Sequence, residues 1–191
     1  MGILIIRGAV LLLLPFAVFA SGAYLIAKLS DRQYVTDQLE KLKDDKQPLG
    51  LRIYGYNAGE VARHWGALDD KALGFERRSL EIDLLFPFFY GAAFAGALLC
   101  AWVALGRPFQ PAWLLAPVLI GVVADWIENL VQLSQLRLFS ASQEAGLQPG
   151  WIQIASVATS VKLALFFLSY FLVIGMVGWM IFSNWPRSPA R

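Results

Sequence analysis

Apolar residues run almost unbroken from Gly8 to about Leu29 ("GAVLLLLPFAVFASGAYLIAKL") and from Leu84 to Leu105 ("LLFPFFYGAAFAGALLCAWVAL"). A third run opens at Trp113 and must extend to about Leu133, because its uncharged part alone is short. A fourth occupies 160–182 and contains "LALFFLSYFLVIGMVGWMIF". A helix crossing a bilayer needs about 20 predominantly apolar residues. The pattern therefore predicts four membrane spans, at about 8–29, 84–105, 113–133 and 160–182. No stretch is left over for a soluble domain of ordinary size. The expected fold is all-α: one membrane domain over 1–191, an integral four-helix bundle with a small helical polar cap at 30–80 between the first and second spans.

Within the polar segment, Val35, Leu39 and Leu42 recur at helical spacing with charge on the other faces. This predicts that the first helix continues beyond the membrane over 30–47, where Pro48 and Gly50 stop it. "LRIYGY" reads as short and extended. Asn57 is placed to cap a short helix with Glu60 at its third position, and Val61, Trp65 and Leu68 give that helix one apolar face. Asp69 or Asp70 caps the next helix, which is expected to run directly into the second span.

Composition agrees with a membrane chain. The hydrophobic fraction is 58% and the charged fraction 16%, against 45–50% and about 25% for a soluble domain. Of the 30 charged side chains, 21 fall between Lys28 and Asp83. A net charge of +2 with acids and bases interleaved gives no reason to expect nucleic acid as a partner. The single cysteine, Cys100, excludes an intramolecular disulfide and a cysteine-based zinc site. With one histidine, His64, and no metal motif or phosphate loop, neither a metal nor a cofactor is expected; His64 reads as a surface or packing residue.

Arg7, Arg107, Arg187 and Arg191 lie on one side of the four spans and only Arg137 occupies the short loop on the other. The positive-inside rule then places both termini in the cytoplasm, although the ten Lys and Arg of residues 28–80 fall on the opposite side. "AVFA" before Ser21 resembles a signal-peptide cleavage site. The weak basic start and the apolar run resuming at "AYLIA" argue that the segment is retained. Small residues at Gly91, Ala92, Ala95 and Gly96 mark a close-packing face, inside the bundle or between subunits. Pro87 and Pro117 are positioned to kink their spans.

The third span carries an unexpected feature. After fourteen uncharged residues, "PAWLLAPVLIGVVA", come Asp125, Glu128 and Asn129. Spacings of three and four place them on one helix face. At a rise of about 1.5 Å per residue, Asp125 lies roughly 18 Å and Glu128 roughly 22 Å from a start at Trp113, in the outer half of a core about 30 Å thick. Lys162, Asp83 and Tyr90 enter the same leaflet from the neighbouring spans. A polar stripe at this depth faces protein or water rather than lipid. The bland reading is a buried salt bridge of Lys162 with Asp125 or Glu128, or Lys162 snorkelling to the headgroups. The functional reading is a pocket for a headgroup, an ion or a proton. Three carboxyls against one lysine call for a held proton or a further cation. "SVATSVK" does not form a Ser–Lys dyad, because Ser160 and Lys162 are two apart; hydroxyls bonded back to the helix are expected.

At "YGYNAGEV", "LEIDLLFPFFYG" and "ADWIENL", covering roughly residues 50 to 170, the chain resembles a group of bacterial four-span membrane proteins of uncharacterised activity with a D-x-x-E-N third span. The resemblance implies a location in the bacterial inner membrane and highlights Asp83, Asp125, Glu128 and Asn129. It implies no mechanism. The expected role is non-enzymatic: binding a membrane lipid, a small ligand or a partner helix around the polar cluster, with a homo-oligomer or another membrane protein as partner. The rivals are an intramembrane enzyme using Asp125 or Glu128 as acid or base on a lipid-like substrate, and an oligomeric small transporter.

Overall fold

A computed structural model describes residues 2–40, 42, 47–107 and 112–183, with side chains from residue 6 onward. Trp185, Arg187, Arg191 and residues 43–46 of the expected cap helix lie outside the described residues. The helices are α1 (Gly2–Leu29), α2 (Arg32–Leu39), α3 (Ala58–Gly66), α4 (Asp70–Asp83), α5 (Phe86–Ala104), α6 (Ala112–Ser142) and α7 (Pro149–Ser183). Short 3-10 turns occupy Leu49–Leu51 and Gln143–Gly146, and no strand occurs among the described residues. The protein is an all-α bundle with four helical segments long and apolar enough to cross a membrane. Large side chains such as Val10, Phe16, Phe89, Leu119 and Phe171 are exposed on its outside. Exposed apolar surface on this scale marks a membrane or protein contact.

The spans differ from their sequence outlines in length. α6 runs on to Ser142 and α7 begins at Pro149. Both therefore extend on the cap side past the apolar stretches that their sequences outline. Lys162 sits roughly 20 Å along the continuous helix α7. α4 and α5 are nearly continuous, broken only at Leu84 and Leu85. Pro87 lies in the first turn of α5, where a missing N–H costs nothing, so it starts a helix rather than kinking one. Gly22 lets α1 approach α5, since a Cβ there would run into the Phe86 ring. The small-residue face splits. Gly91 is buried against Val122, whereas nothing lies near a Cβ at Gly96.

The cap departs more from expectation. The first helix does not continue into the polar segment. It ends at Leu29, and Asp31 adopts a left-handed conformation (φ 44°) that turns the chain into α2. Aspartate tolerates this region better than most residues. The turn lets Arg32 pair with Glu76 of α4 at 2.7 Å. "LRIYGY" is not extended: its first residue closes the Leu49–Leu51 turn, and Gly55 (φ 79°) reverses the chain. The expected capping box of Asn57 and Glu60 is present, with bonds of 3.0 and 2.7 Å. Asp69, not Asp70, caps α4 through the Ala72 N–H.

Two apolar cores result. One joins the cap to the outer ends of α6 and α7, with Trp65, Leu49, Val61 and Leu73 against Leu136, Phe139 and Ile152. The other lies within the bundle, with Phe86, Phe94, Val118, Val173 and Met180 surrounded by Phe19 and Phe166. Between them α6 contributes a run of buried polar residues from Asp125 to Gln132.

Candidate functional site: a polar layer between two apolar cores

The layer is built on one face of α6. Asp125, Glu128, Asn129 and Gln132 follow one another at spacings of three, one and three residues, and all are buried. α7 faces them with Lys162 and Thr159, and α5 with Tyr90. Lys162 Nζ lies 2.9 Å from Asp125 Oδ1 and 2.6 Å from Glu128 Oε2. Tyr90 donates to Asp125 Oδ2 at 2.9 Å, and the Asn129 amide donates to Oδ1 at 3.1 Å. Both Asp125 oxygens are thus engaged. The lysine bridges two carboxylates and does not snorkel; its side chain keeps only 14% of its surface exposed.

The chain of polar contacts continues towards the cap. Gln132 Nε2 donates to Glu128 Oε1 at 3.0 Å and to the Tyr56 hydroxyl at 2.8 Å. Tyr56 also shares a 3.4 Å hydrogen bond with the Thr159 hydroxyl. Tyr56 is the inward tooth of the 47–57 loop, and its neighbour Tyr54 is fully exposed. The loop is held by the Tyr56 N–H, which donates to Ser156 Oγ at 2.8 Å. Gly50 lies directly over the ion pairs: a Cβ there would stand 3.2 Å from Glu128 Oε1 and 3.8 Å from Lys162 Nζ. Burial, and then the Glu128 charge, push the Tyr56 hydroxyl from 10.0 up to about 12. It therefore stays protonated at neutral pH.

All six residues expected from the sequence fall in this region, but unequally. Tyr90, Asp125, Glu128, Asn129 and Lys162 are joined by direct contacts. Asp83 is only partly buried and stands at the edge, beside Asn129 and within electrostatic reach of Asp125 and Lys162. Gln132, Tyr56, Gly50 and Thr159 were not among the expected site residues. For Gln132 a signal existed, since it continues the Asp125–Glu128 face by one more turn. The hydroxyls of Thr159 and Ser160 do bond back to Ala155 and Ser156 of their own helix, as expected. Among the described residues no three His, Cys, Asp or Glu side chains converge closely enough to hold a metal ion.

A second polar chain runs through the cap. His64 is fully buried between Arg52 (3.4 Å to Nδ1) and Glu76 (4.0 Å from Nε2). Glu76 in turn holds Arg32, and Arg52 donates to the Gln47 carbonyl. This chain ties the segment after α1, the 47–57 loop, α3 and α4 together, so His64 is a packing residue with polar neighbours. No protein-family model, curated protein or solved structure matches this chain.

Proposed function

We propose that this is a non-enzymatic, multi-pass membrane protein that binds a lipid or small amphiphile carrying an amine at the Asp125–Glu128–Lys162 cluster. One observation carries the reading. The cluster is covered by the Gly50–Tyr56 loop rather than by a transmembrane helix. Displacing the 50–56 segment, whose contacts with the bundle include Ser156, Gln132 and Thr159, would open the carboxylates on the cap side while the long helices stay packed. The charge supports the ligand class. Asp83, Asp125 and Glu128 face one Lys162, and an incoming ammonium would offset part of the negative excess. A bacterial inner-membrane location with both termini in the cytoplasm, kinship with the D-x-x-E-N four-span group, and a homo-oligomeric or membrane-protein partner belong to the same proposal.

The test is native mass spectrometry of gently extracted protein, comparing wild type with Asp125→Asn/Glu128→Gln. The expected result is a defined amine-bearing species on wild type that the variant loses while keeping its helical content. A bare wild type, or the same species on both, would make the cluster a structural joint between cap and bundle.

A further inference from the structure

A second place on the molecule has the chemistry of a ligand site, away from the buried cluster. On the cap side, α4 and α6 enclose a groove of about 350 Å³ whose lining includes Asp70, Leu73, Arg77, Leu136, Arg137 and Gln143. Its floor is open, since nothing lies near a Cβ at Gly74. Arg137 also borders a larger groove of about 510 Å³ between α6 and the start of α7. That groove is walled by Leu130, Val131, Leu138 and Trp151, and both Leu130 and Trp151 are more than half exposed, at 56% and 52%.

Depth decides what these grooves meet. From a membrane edge at Trp113, Arg137 lies roughly 36 Å along α6, about 6 Å beyond a 30 Å hydrocarbon core and therefore among the headgroups. Leu130 lies roughly 4–5 Å, just under one helical turn, inside the acyl region. Trp151 is half exposed in the first turn of α7, and indole rings prefer the membrane interface. Arg137 has no carboxylate partner among the described residues. Arg77 is paired with Glu81 at 2.8 Å, but both side chains are about half exposed (54% and 44%). Such a pair is weakly held, and a guanidinium with five donors can add a phosphate without leaving it.

We propose that this region is a binding site for an anionic glycerophospholipid. The phosphodiester sits between Arg77 and Arg137, the Gln143 amide reaches the headgroup, and one acyl chain descends the α6–α7 groove past Leu138 and Leu130. Arg77 is matched by Glu81 and Asp70 also lines the groove, so Arg137, with no carboxylate partner among the described residues, is the cation that receives the phosphate. The adjoining apolar groove, open to lipid, distinguishes a phospholipid from a free anion. This site is independent of the ligand proposed for the Asp125–Glu128–Lys162 cluster.

The test titrates detergent-purified protein with phosphatidylglycerol and reads the lipid-bound fraction by native mass spectrometry. Arg137→Gln should weaken retention about tenfold and Arg77→Gln/Arg137→Gln about a hundredfold, as expected for losing one and two charge-assisted contacts. Trp151→Ala should weaken it through the acyl groove. Arg63→Gln, an exposed arginine of α3, should leave it unchanged. Circular dichroism checks that each variant is folded. Undiminished retention by the folded double arginine variant would overturn the proposal. So would an equal loss with Arg63→Gln, which would mean diffuse attraction. Displacement of the lipid by inorganic phosphate at matching concentration would reduce the site to a free-anion site and overturn the lipid assignment.

Discussion

Removing the charge of Lys162 alone should damage the fold more than removing the whole charged group. In Lys162→Met, Asp125 and Glu128 lose a shared cation that stands 2.9 and 2.6 Å from their oxygens. Each attraction is worth about 4 kcal/mol at an effective dielectric near 20 and a charge separation near 4 Å. Desolvating each ion costs several kcal/mol. The intact group is therefore close to neutral in net stability, while the stranded carboxylates are not. The single variant should lose about 3–5 kcal/mol, the usual cost of breaking a buried pair from one side. The triple variant Lys162→Met/Asp125→Asn/Glu128→Gln should recover most of this, because Tyr90, Asn129 and Gln132 can still bond neutral amides. Reversible unfolding in mixed micelles measures all three. A loss below about 1 kcal/mol for Lys162→Met, or a triple variant no more stable than the single one, would refute the view that three buried charges act as a unit.

Two further outcomes follow from the loop above the cluster. Gly50→Val should cost about 1–3 kcal/mol by overpacking against the Glu128–Lys162 pair. Hydrogen exchange should rise selectively over residues 49–57; unchanged exchange there would mean that the loop does not rest on the pair. Tyr56 has a value raised from 10.0 to about 12. Its contribution is therefore fully present below pH 10 and fades as pH rises towards 12, by about 2–3 kcal/mol at most. Relative to Tyr56→Phe, wild type should lose stability across that window in a pH-resolved unfolding series, and parallel pH profiles would count against the buried hydroxyl.

The sequence alone determined what depends on local periodicity. Runs of about 20 apolar residues specify spans whatever their neighbours are, because a helix satisfies its own backbone in lipid. Asp125, Glu128 and Asn129 share a face by helical spacing, and Asn57 with Glu60 closes a box within one turn. Tertiary structure decided everything that joins distant segments. Lys162 could have snorkelled, and only its packing between α6 and α7 brings it to both carboxylates. Nothing local in "LRIYGY" shows that Tyr56 enters the bundle to meet Gln132 and Thr159, 76 and 103 residues away. Likewise Gly50 looked like a helix stop, and its missing Cβ matters because a chain turned at Asp31 and Gly55 passes over an ion pair. The break at Asp31 escaped the periodicity because Val35 and Leu39 keep helical spacing on both readings. The turn is fixed instead by Arg32 reaching Glu76 on another helix.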